Sequence, residues 1–231
     1  MTEPTWVLMH SPLLGPSSWR PVASVLAARG HAVVVPDATG ALREGPPFGA
    51  RIVARVVAQL RSRPVVLIGH SRAGPLLPAI ADAVGPEVAG LVFVDARLPH
   101  PGESALTNMP AEAAERLRAL AVDGMLPPWH EWFAPSTLAD LIADPAVRAA
   151  LTAEVTGVPF AFFTEPASPA VWPGPTGYLL LSESYRADAA TARIRDTAAV
   201  VELPSHHLSM VTAPARMADA LERLLAIMLA A

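Results

Sequence analysis

Ser71 stands in a sequence context that favours a nucleophile. It lies in the stretch PVVLIGHSRAGPLLP (residues 64–78), where a short apolar run leads through Gly69 and His70 into a helix-like pattern. A serine hydroxyl is a poor nucleophile near neutral pH, so it needs a general base and exposure to substrate. A sharp turn between a strand and a helix provides that exposure. We therefore predict that Ser71 is an acyl-transfer nucleophile; the alternative is a serine that only caps the following helix.

The strand–turn–helix pattern around Ser71, which we call the elbow, departs in one position from the usual Gly-x-Ser-x-Gly motif. Gly69 lies two residues before the serine, but the residue two places after it is Ala73, and Gly74 comes one place late. Alanine adds only one methyl group, so both flanks of the serine stay small. We expect the turn to form in spite of this substitution.

A histidine pair late in the chain provides candidate general bases. His206 and His207 lie in VVELPSHHLSMVTAP (residues 200–214), after the last strand-like run. A base must come within hydrogen-bond reach of the serine, so the fold has to join two distant parts of the chain. The alternative for a histidine pair on a loop is a polar surface turn.

Strand-like and helix-like runs alternate along most of the chain. Short apolar segments without polar alternation are typical of strands covered on both faces, and the βαβ rhythm predicts a mostly parallel, doubly wound sheet in an α/β fold. The predicted strands are residues 5–10, 31–37, 64–69, 89–95, 177–183 and 198–204. The predicted helices that alternate with these strands are residues 17–30, 49–63, 73–84 and 214–229.

The alternation stops after Asp95 and returns near residue 176. The intervening segment has helix-like pieces that are interrupted by proline-rich stretches. We interpret residues 1–96 and 176–231 as one α/β core and residues 97–175 as a helical cap inserted in it. Such a cap belongs over the carboxyl ends of the strands, where open α/β sheets bind ligands.

Four segments in this order resemble the α/β-hydrolase superfamily over nearly the whole chain: residues 7–37, 67–74, 91–104 and 202–221. Within them, DARLPHPGES (residues 95–104) is similar to the methylesterase and hydroxynitrile-lyase branch and its small bacterial esterases. PSHHLSM (residues 204–210) is similar to the Gly-x-His-Leu-x-Met stretch of type II thioesterases. The resemblance implies an α/β-hydrolase fold and a Ser-His-acid triad.

The thioesterase-like register makes His207 the preferred base, because it precedes Leu-Ser-Met, with His206 as the alternative. The same branch places its acid after the strand that here ends at Asp95. Most of the superfamily places it after the strand 177–183, where Glu183 is the nearest carboxylate. We expect Asp95 to be the acid and keep Glu183 as the second candidate. Without that role, Asp95 would be a buried strand-end carboxylate and Glu183 a solvated loop residue.

The oxyanion hole of this superfamily normally uses two backbone N–H groups. One would come from Arg72, directly after the nucleophile. The other would come from the loop after the first strand, which here contains Pro12, and proline has no N–H. We expect Leu13 or Ser11 to donate instead; if neither does, the hole has a single donor and the enzyme is slow. His10 and His70 are interpreted as structural.

The 97–175 segment is rich in aromatic residues. Ligand pockets are mostly apolar with a few polar anchors, so we predict a substrate with an apolar or aromatic portion. The alternative is that an irregular, proline-rich segment needs large side chains to pack on the sheet. The candidate substrate-binding residues are Trp129, Trp132, Phe133, Phe160 and Phe163.

The composition excludes several other chemistries. The chain has no cysteine, which removes disulfides, thiolate nucleophiles and most zinc or iron–sulfur sites. All 17 basic side chains are arginine, which removes lysine Schiff bases and Walker lysines. A net charge of −4 without a basic run argues against nucleic acid. We expect neither a metal nor a cofactor.

The remaining expectations concern partners and location. The N-terminal segment does not resemble a signal peptide, and the longest apolar stretch is far shorter than the ~20 residues of a membrane span. We expect a cytoplasmic monomer or homodimer whose partner is a small-molecule substrate. The preferred function is a serine-dependent hydrolase of a carboxylic ester or thioester. The alternatives are a non-hydrolytic lyase, epimerase or cyclase on the same fold, and a non-catalytic small-molecule binding protein.

Overall fold

The sheet that carries the elbow has six strands, in the order β2-β1-β3-β4-β7-β8, and every neighbouring pair is parallel. This computed structural model describes residues 3–61, 64–194 and 198–230. A separate antiparallel pair, β5-β6, lies between β4 and β7 in the sequence. The strands are β1 Thr5–Met9, β2 Val33–Val34, β3 Val65–His70, β4 Val88–Val94, β5 Met125–Leu126, β6 Val158–Pro159, β7 Thr176–Leu180 and β8 Ala198–Glu202.

Helices follow most strands, as the alternating pattern predicts. Short 3-10 helices occupy Pro16–Ser18, Ala41–Glu44, Ser71–Leu76, Trp129–Trp132 and Glu183–Tyr185. The end of the helix predicted over 49–63 falls on residues 62–63, outside the described residues. The α-helices are α1 Arg20–Ala28, α2 Phe48–Gln59, α3 Leu77–Val84, α4 Ala111–Leu120, α5 Thr137–Leu141, α6 Pro145–Thr152, α7 Ala161–Thr164, α8 Arg186–Arg193, α9 Ser209–Thr212 and α10 Pro214–Ala230.

Alternate residues of the central strands face two separate hydrophobic layers. In β3, Val65 and Leu67 cluster with residues of α2 and α3, whereas Val66 and Ile68 cluster with residues of α1 and α10. This period of two follows from strand geometry. Because both faces of β3 are buried, the strand is an unbroken apolar run in the sequence. The predicted doubly wound, mostly parallel sheet is confirmed.

Several predicted elements differ in extent; for example, α2 ends at Gln59, and the strand predicted over 177–183 ends at Leu180. The strand predicted over 31–37 lies at the edge of the sheet beside β1 and forms ladder pairs only at Val33–Val34. The helix predicted over 73–84 begins as a 3-10 turn and becomes α-helical at Leu77. Pro75 lies inside that turn and has no N–H for an α-helical hydrogen bond.

Residues 97–175 contribute to both hydrophobic layers. Leu117 and Phe163 belong to the layer of α2 and α3, whereas Ile142 and Leu151 belong to the layer of α1 and α10. A segment that reaches both layers must pass over an edge of the sheet. The segment contains the helices α4 to α7, and the pair β5-β6 was not predicted. Its division from the core as a cap stays a prediction.

The displaced glycine of the elbow is explained by a close backbone approach. A Cβ atom at Gly74 would lie 2.3 Å from the carbonyl oxygen of Arg97 and 3.0 Å from Cβ of Ala96. A Cβ atom at Gly69 would lie 2.9–3.1 Å from atoms of the Leu77 side chain, a closeness that requires Leu77 to shift. Glycine is therefore required at position 74, where the elbow meets the chain after β4, whereas position 73 accommodates a fully buried alanine.

We expect Gly74→Ala to lower the free energy of unfolding by about 1–3 kcal/mol or more, the range found for overpacked cores. The clash is with a main-chain oxygen, so rotation of a side chain cannot relieve it. Gly49→Ala in α2 is the control, because its nearest neighbour is the end of the Glu165 side chain at 3.4 Å. Urea unfolding of both variants checks this, and equal destabilisation would contradict the packing explanation.

Candidate active site

Ser71 lies at the carboxyl end of β3 in a strained backbone conformation. Its φ angle is 57°, in the left-handed region that favours glycine. The serine follows the last strand residue directly and begins a 3-10 helix, so the chain turns at this one residue. The turn points the hydroxyl into a cleft that Ser71 lines. This is the strand–turn–helix context that the sequence predicts.

A chain of hydrogen bonds joins three residues that are distant in the sequence. Nε2 of His207 lies 3.0 Å from Oγ of Ser71, and Nδ1 of His207 lies 2.7 Å from Oδ2 of Asp95. Asp95 follows β4, the neighbour of β3, and His207 lies in the loop between β8 and α9. Because the carboxyl ends of parallel strands meet at one edge of a sheet, the three side chains converge there.

The Asp95 carboxylate is buried and fully hydrogen-bonded. Oδ1 accepts the N–H groups of Leu181 and Ser182, both at 3.0 Å, and Oδ2 also accepts the Ser182 hydroxyl at 2.6 Å. Burial by itself raises the pKa of Asp95, but the hydrogen bonds from His207 and Ser182 outweigh it and hold the pKa below its ordinary value. The ionised carboxylate accepts Nδ1–H of His207, which leaves the Nε2 lone pair for the proton of Ser71.

Glu183, the second candidate acid, is directed elsewhere. It is largely exposed, and both of its carboxylate oxygens accept Nε of Arg186 at 2.8 Å. The structure brings Asp95, and not Glu183, to the imidazole. Arg186 lies three residues after Glu183, at the start of α8, so the two exposed charges pair locally.

The other histidines hold the loops of this edge. His70 is buried, and its Nε2 donates to the carbonyl oxygen of His207 at 2.9 Å. Nε2 of His10 accepts the N–H of Ala38, and its Nδ1 donates to the carbonyl oxygen of Ser11. Burial lowers the pKa of His10 and lowers that of His70 well below the ordinary value, so both imidazoles are neutral. His206 hydrogen-bonds within its own turn.

Tyr185 is a residue that sequence reasoning missed. Its hydroxyl lies 3.2 Å from Oγ of Ser71, and its ring is stacked on the His207 imidazole at a centroid distance of 4.9 Å and an interplanar angle of 6°. Burial raises the pKa of the Tyr185 phenol, so the hydroxyl stays protonated and can donate a hydrogen bond. Arg97 lies over the same ring at 4.8 Å. No sequence motif marks a ring stack of this kind.

The loop after β1 offers one candidate oxyanion donor, which is engaged. The N–H of Leu13 donates to the Ser11 hydroxyl at 3.2 Å. The first N–H groups of a helix have no acceptor within the helix. Arg72 is the second residue of its 3-10 helix, so its backbone N–H is available to an oxyanion. Leu13 and Arg72 both line the cleft, whereas Ser11 is buried behind it. Pro12 contributes no donor.

The cleft above Ser71 has a volume of about 1340 Å³ and a largely apolar lining. Four of the five predicted aromatic residues line it: Trp129, Trp132, Phe133 and Phe163. Phe160 does not belong to the lining; it packs against the hydrophobic core at the start of α7. The turn of α7 instead directs Phe162, which was not predicted, towards the cleft.

Two further tests concern metals and membranes. Within residues 3–61, 64–194 and 198–230, no group of three or more histidine and acidic side chains is placed to hold a metal ion. Among the helices of these same ranges, none combines the length and the apolar character that crossing a bilayer requires.

A parallel six-stranded sheet with a serine elbow and a facing histidine defines an α/β-hydrolase fold. Residues 6–220 match the model of the alpha/beta hydrolase family, and the chain belongs to this family. The predicted superfamily is thus confirmed.

Individual relatives are more distant. The chain is 27% identical over 127 residues to the carbendazim hydrolyzing esterase of Nocardioides sp. (strain SG-4G), and the match spans 52% of each protein, about half of that relative's length. An extracellular alpha/beta-hydrolase from a Paenibacillus species has a TM-score of 0.78 at 20% identity, with 96% of this chain and 99% of that chain covered. A pyrethroid hydrolase from Sphingobium faniae JZ-2 has a TM-score of 0.71 at 23% identity, with 96% and 97% covered. At these identities the two structures establish the fold.

The left-handed backbone of Ser71 leads to a stability prediction. A left-handed conformation destabilises a non-glycine residue by about 1–2 kcal/mol, so Ser71→Gly should be more stable than Ser71→Ala by up to about 1 kcal/mol. Both variants lose the hydroxyl, so their difference isolates the backbone term. Ala73→Gly is the control, because position 73 has an ordinary φ angle and glycine there should destabilise by at least about 0.5–1 kcal/mol. Chemical denaturation measures all three; Ser71→Gly less stable than Ser71→Ala would refute the strain.

Proposed function

We propose that this protein is a serine-dependent hydrolase of carboxylic esters that works through an acyl-enzyme. The observation that carries the proposal is the unbroken hydrogen-bond chain from Asp95 through His207 to Oγ of Ser71, with distances of 2.7 and 3.0 Å. The named function of the Nocardioides relative, an esterase, supports it.

In the first half-reaction, Oγ of Ser71 attacks the carbonyl carbon and its proton moves to Nε2 of His207. The imidazolium gives this proton to the leaving alcohol, and the acyl group stays on the serine. In the second half-reaction, His207 takes a proton from water, whose oxygen attacks the acyl carbon. The bond from that carbon to Oγ of Ser71 then breaks, His207 returns the proton to Oγ, and the acid is released. Asp95 keeps Nδ1–H in place throughout and stabilises the imidazolium.

The charge that develops on the carbonyl oxygen needs donors that are fixed in advance. We assign the N–H of Arg72 as the first donor and that of Leu13 as the second. The Tyr185 hydroxyl lies 3.2 Å from Oγ, where it can orient the nucleophile and stabilise negative charge close to the reacting carbon. Its ring, stacked on His207, prevents the imidazole from turning out of line.

The cleft supports a substrate with an apolar portion. Its lining aromatic side chains form edge-to-face contacts, such as Trp129 with Phe133 at 5.4 Å, and leave an apolar wall on the side of the 97–175 segment. A carboxylic ester fits best, and a thioester presents the same carbonyl carbon to Ser71. A cytoplasmic location and a monomer or homodimer remain part of this proposal.

One observation favours a second candidate, a non-hydrolytic lyase, epimerase or cyclase. The N–H of Leu13 is already bonded to the Ser11 hydroxyl, and Pro12 offers none. Loss of one oxyanion donor removes about 2.7–4 kcal/mol of transition-state stabilisation in a serine protease, which would slow acyl transfer. In that case His207 would move protons on a bound substrate without an acyl-enzyme. A binding protein without catalysis is a third outcome of the first experiment below.

Ser71→Ala should lower kcat/KM for 4-nitrophenyl butyrate by about 10⁴-fold or more, since nucleophile removal in a serine protease has an effect of this order or larger. It should also abolish labelling by a fluorophosphonate, followed by intact-protein mass spectrometry. Ser24→Ala, an exposed serine of α1, is the control and should change neither. Turnover by the wild type without label would contradict an acyl-enzyme on Ser71, and neither turnover nor label would favour the non-hydrolytic enzyme or the binding protein over the hydrolase.

Asp95→Asn should lower kcat by about 10⁴-fold, as the equivalent change does in a serine protease. The amide would present N–H to Nδ1 of His207 and force the wrong tautomer. Glu183→Gln, an exposed change of the same type, should alter the rate by no more than about twofold, as for an ordinary surface substitution. The measurement is kcat of each variant, and circular dichroism of each variant checks that it is folded. The reverse ranking would make Glu183 the acid.

A further inference from the structure

The side chain of Arg72, the residue directly after the nucleophile, places a cation in the cleft. Arg72 lines the floor of the cleft, and among the described residues no carboxylate forms an ion pair with its guanidinium. Its Nε is buried and has no hydrogen-bond acceptor in this part of the chain. Leaving such a charged donor without an acceptor is destabilising. The usual remedy in a protein, a paired carboxylate, is missing at this position.

An aromatic face holds the guanidinium in place without satisfying its donors. Cζ of Arg72 lies 5.3 Å from the ring centroid of Phe163, which also lines the cleft. Such a cation–π contact attracts the charge of the guanidinium and leaves its N–H groups available for hydrogen bonds. Burial lowers the pKa of Arg72 to about 10, so the side chain still carries its charge near neutral pH.

Three acids line the cleft, of which Glu103 is exposed and the other two are already engaged. Asp188 accepts Nη1 of Arg97 at 2.7 Å and a backbone N–H at 3.1 Å. Glu165 accepts two backbone N–H groups at the start of α2, both at 2.7 Å. Neither carboxylate is free to turn to Arg72 without giving up these bonds. A ligand carboxylate bound in the cleft would supply the acceptor that Nε of Arg72 lacks among the described residues.

We propose that Arg72 binds a free carboxylate of the substrate, so that the preferred substrates are hemiesters of short dicarboxylic acids. This inference rests on the proposed ester hydrolysis at Ser71. Ser71 and Arg72 are consecutive residues that both line the cleft, so one small substrate can present a carbonyl to Ser71 and a carboxylate to Arg72. The planar guanidinium matches a carboxylate with two parallel hydrogen bonds. The apolar alcohol portion then lies against the aromatic wall.

The reaction balances with water alone. The OH group of water is added to the ester carbonyl carbon, and the bond between that carbon and the alcohol oxygen breaks. The alcohol leaves with the remaining proton of water. The second carboxylate is unchanged and remains on Arg72 until the dicarboxylate product dissociates.

The test compares two esters that differ only at the far end of the acyl chain. The 4-nitrophenyl hemiester of glutaric acid carries a carboxylate there, and 4-nitrophenyl pentanoate carries a methyl group. We expect the wild type to have the larger kcat/KM for the hemiester, after subtraction of its spontaneous hydrolysis. Arg72→Gln should lower the ratio of the two constants by on the order of 10- to 100-fold, the effect of a lost hydrogen bond to a charged group.

The ratio cancels any general damage to the site, because both esters use the same catalytic residues. The matched control is Arg116→Gln, an exposed arginine of α4 that lines the same cleft and should leave the ratio unchanged. An equal fall in both variants would show an effect of net charge and overturn the proposal. An unchanged ratio in Arg72→Gln would overturn it as well, while the hydrolase itself would stand.

A binding measurement separates this proposal from the proposed function. Glutarate should raise the melting temperature of Ser71→Ala, and Ser71→Ala with Arg72→Gln should lose that shift. If the wild type hydrolyses neither ester but the Arg72-dependent shift is present, ester hydrolysis fails and the carboxylate site stands. If glutarate gives the same shift with and without Arg72, or none, the carboxylate site is refuted.

Discussion

The hydrogen bonds of the Asp95 carboxylate are the constraint on which the rest of the candidate site depends. A buried carboxylate is strongly destabilising unless it is hydrogen-bonded or paired, and here four donors meet its two oxygens: two N–H groups and a hydroxyl from residues 181–182, and Nδ1 of His207. These donors lie after β7 and after β8, whereas Asp95 follows β4. One side chain therefore ties three strand ends together. A displacement of any of them would leave charge or donors unsatisfied, so the folding of this edge and the position of the imidazole are stabilised by the same interactions.

The imidazole of His207 is then held from several further directions. His70 donates to its carbonyl oxygen and lies against its ring at 4.3 Å, and Tyr185 covers it at 4.9 Å. The nucleophile is held by its own backbone, which turns at Ser71 because Gly74 allows the helix to approach the chain after β4. Stacked rings and a strained turn provide little stability in themselves. Their effect is to leave the His207 imidazole and the Ser71 hydroxyl few alternative positions. Such preorganisation removes reorganisation from the reaction step.

The parts of this structure that follow from local pattern could be predicted, and those that depend on tertiary contacts could not. Fully buried strands such as β3 are apolar runs, so the sheet could be predicted from the sequence. Ser71 could be predicted because it lies in a local sequence motif. His207 and Asp95 required a resemblance, because nothing local separates them from His206 and Glu183. The stack of Tyr185 was missed since it depends on where the turn after β7 meets the loop after β8. Phe160 was wrongly expected in the cleft because a cluster of aromatic residues does not reveal which way a short helix such as α7 turns each one.

The loop after β1 is where the site departs from the geometry that acyl transfer needs, and its hydrogen bonds suggest how the departure is tolerated. The bond from the Leu13 N–H to the Ser11 hydroxyl is 3.2 Å long, at the weak end of the range for N–H donors. A bond from the same N–H to an oxyanion is charge-assisted and roughly twice as strong as one between neutral groups. The Ser11 hydroxyl can rotate, so it loses little when the N–H turns away. In the proposed acyl transfer, this exchange of hydrogen bonds is unfavourable with a neutral carbonyl and favourable once charge has developed on the oxygen. An interaction made only at that stage lowers the barrier without tightening ground-state binding.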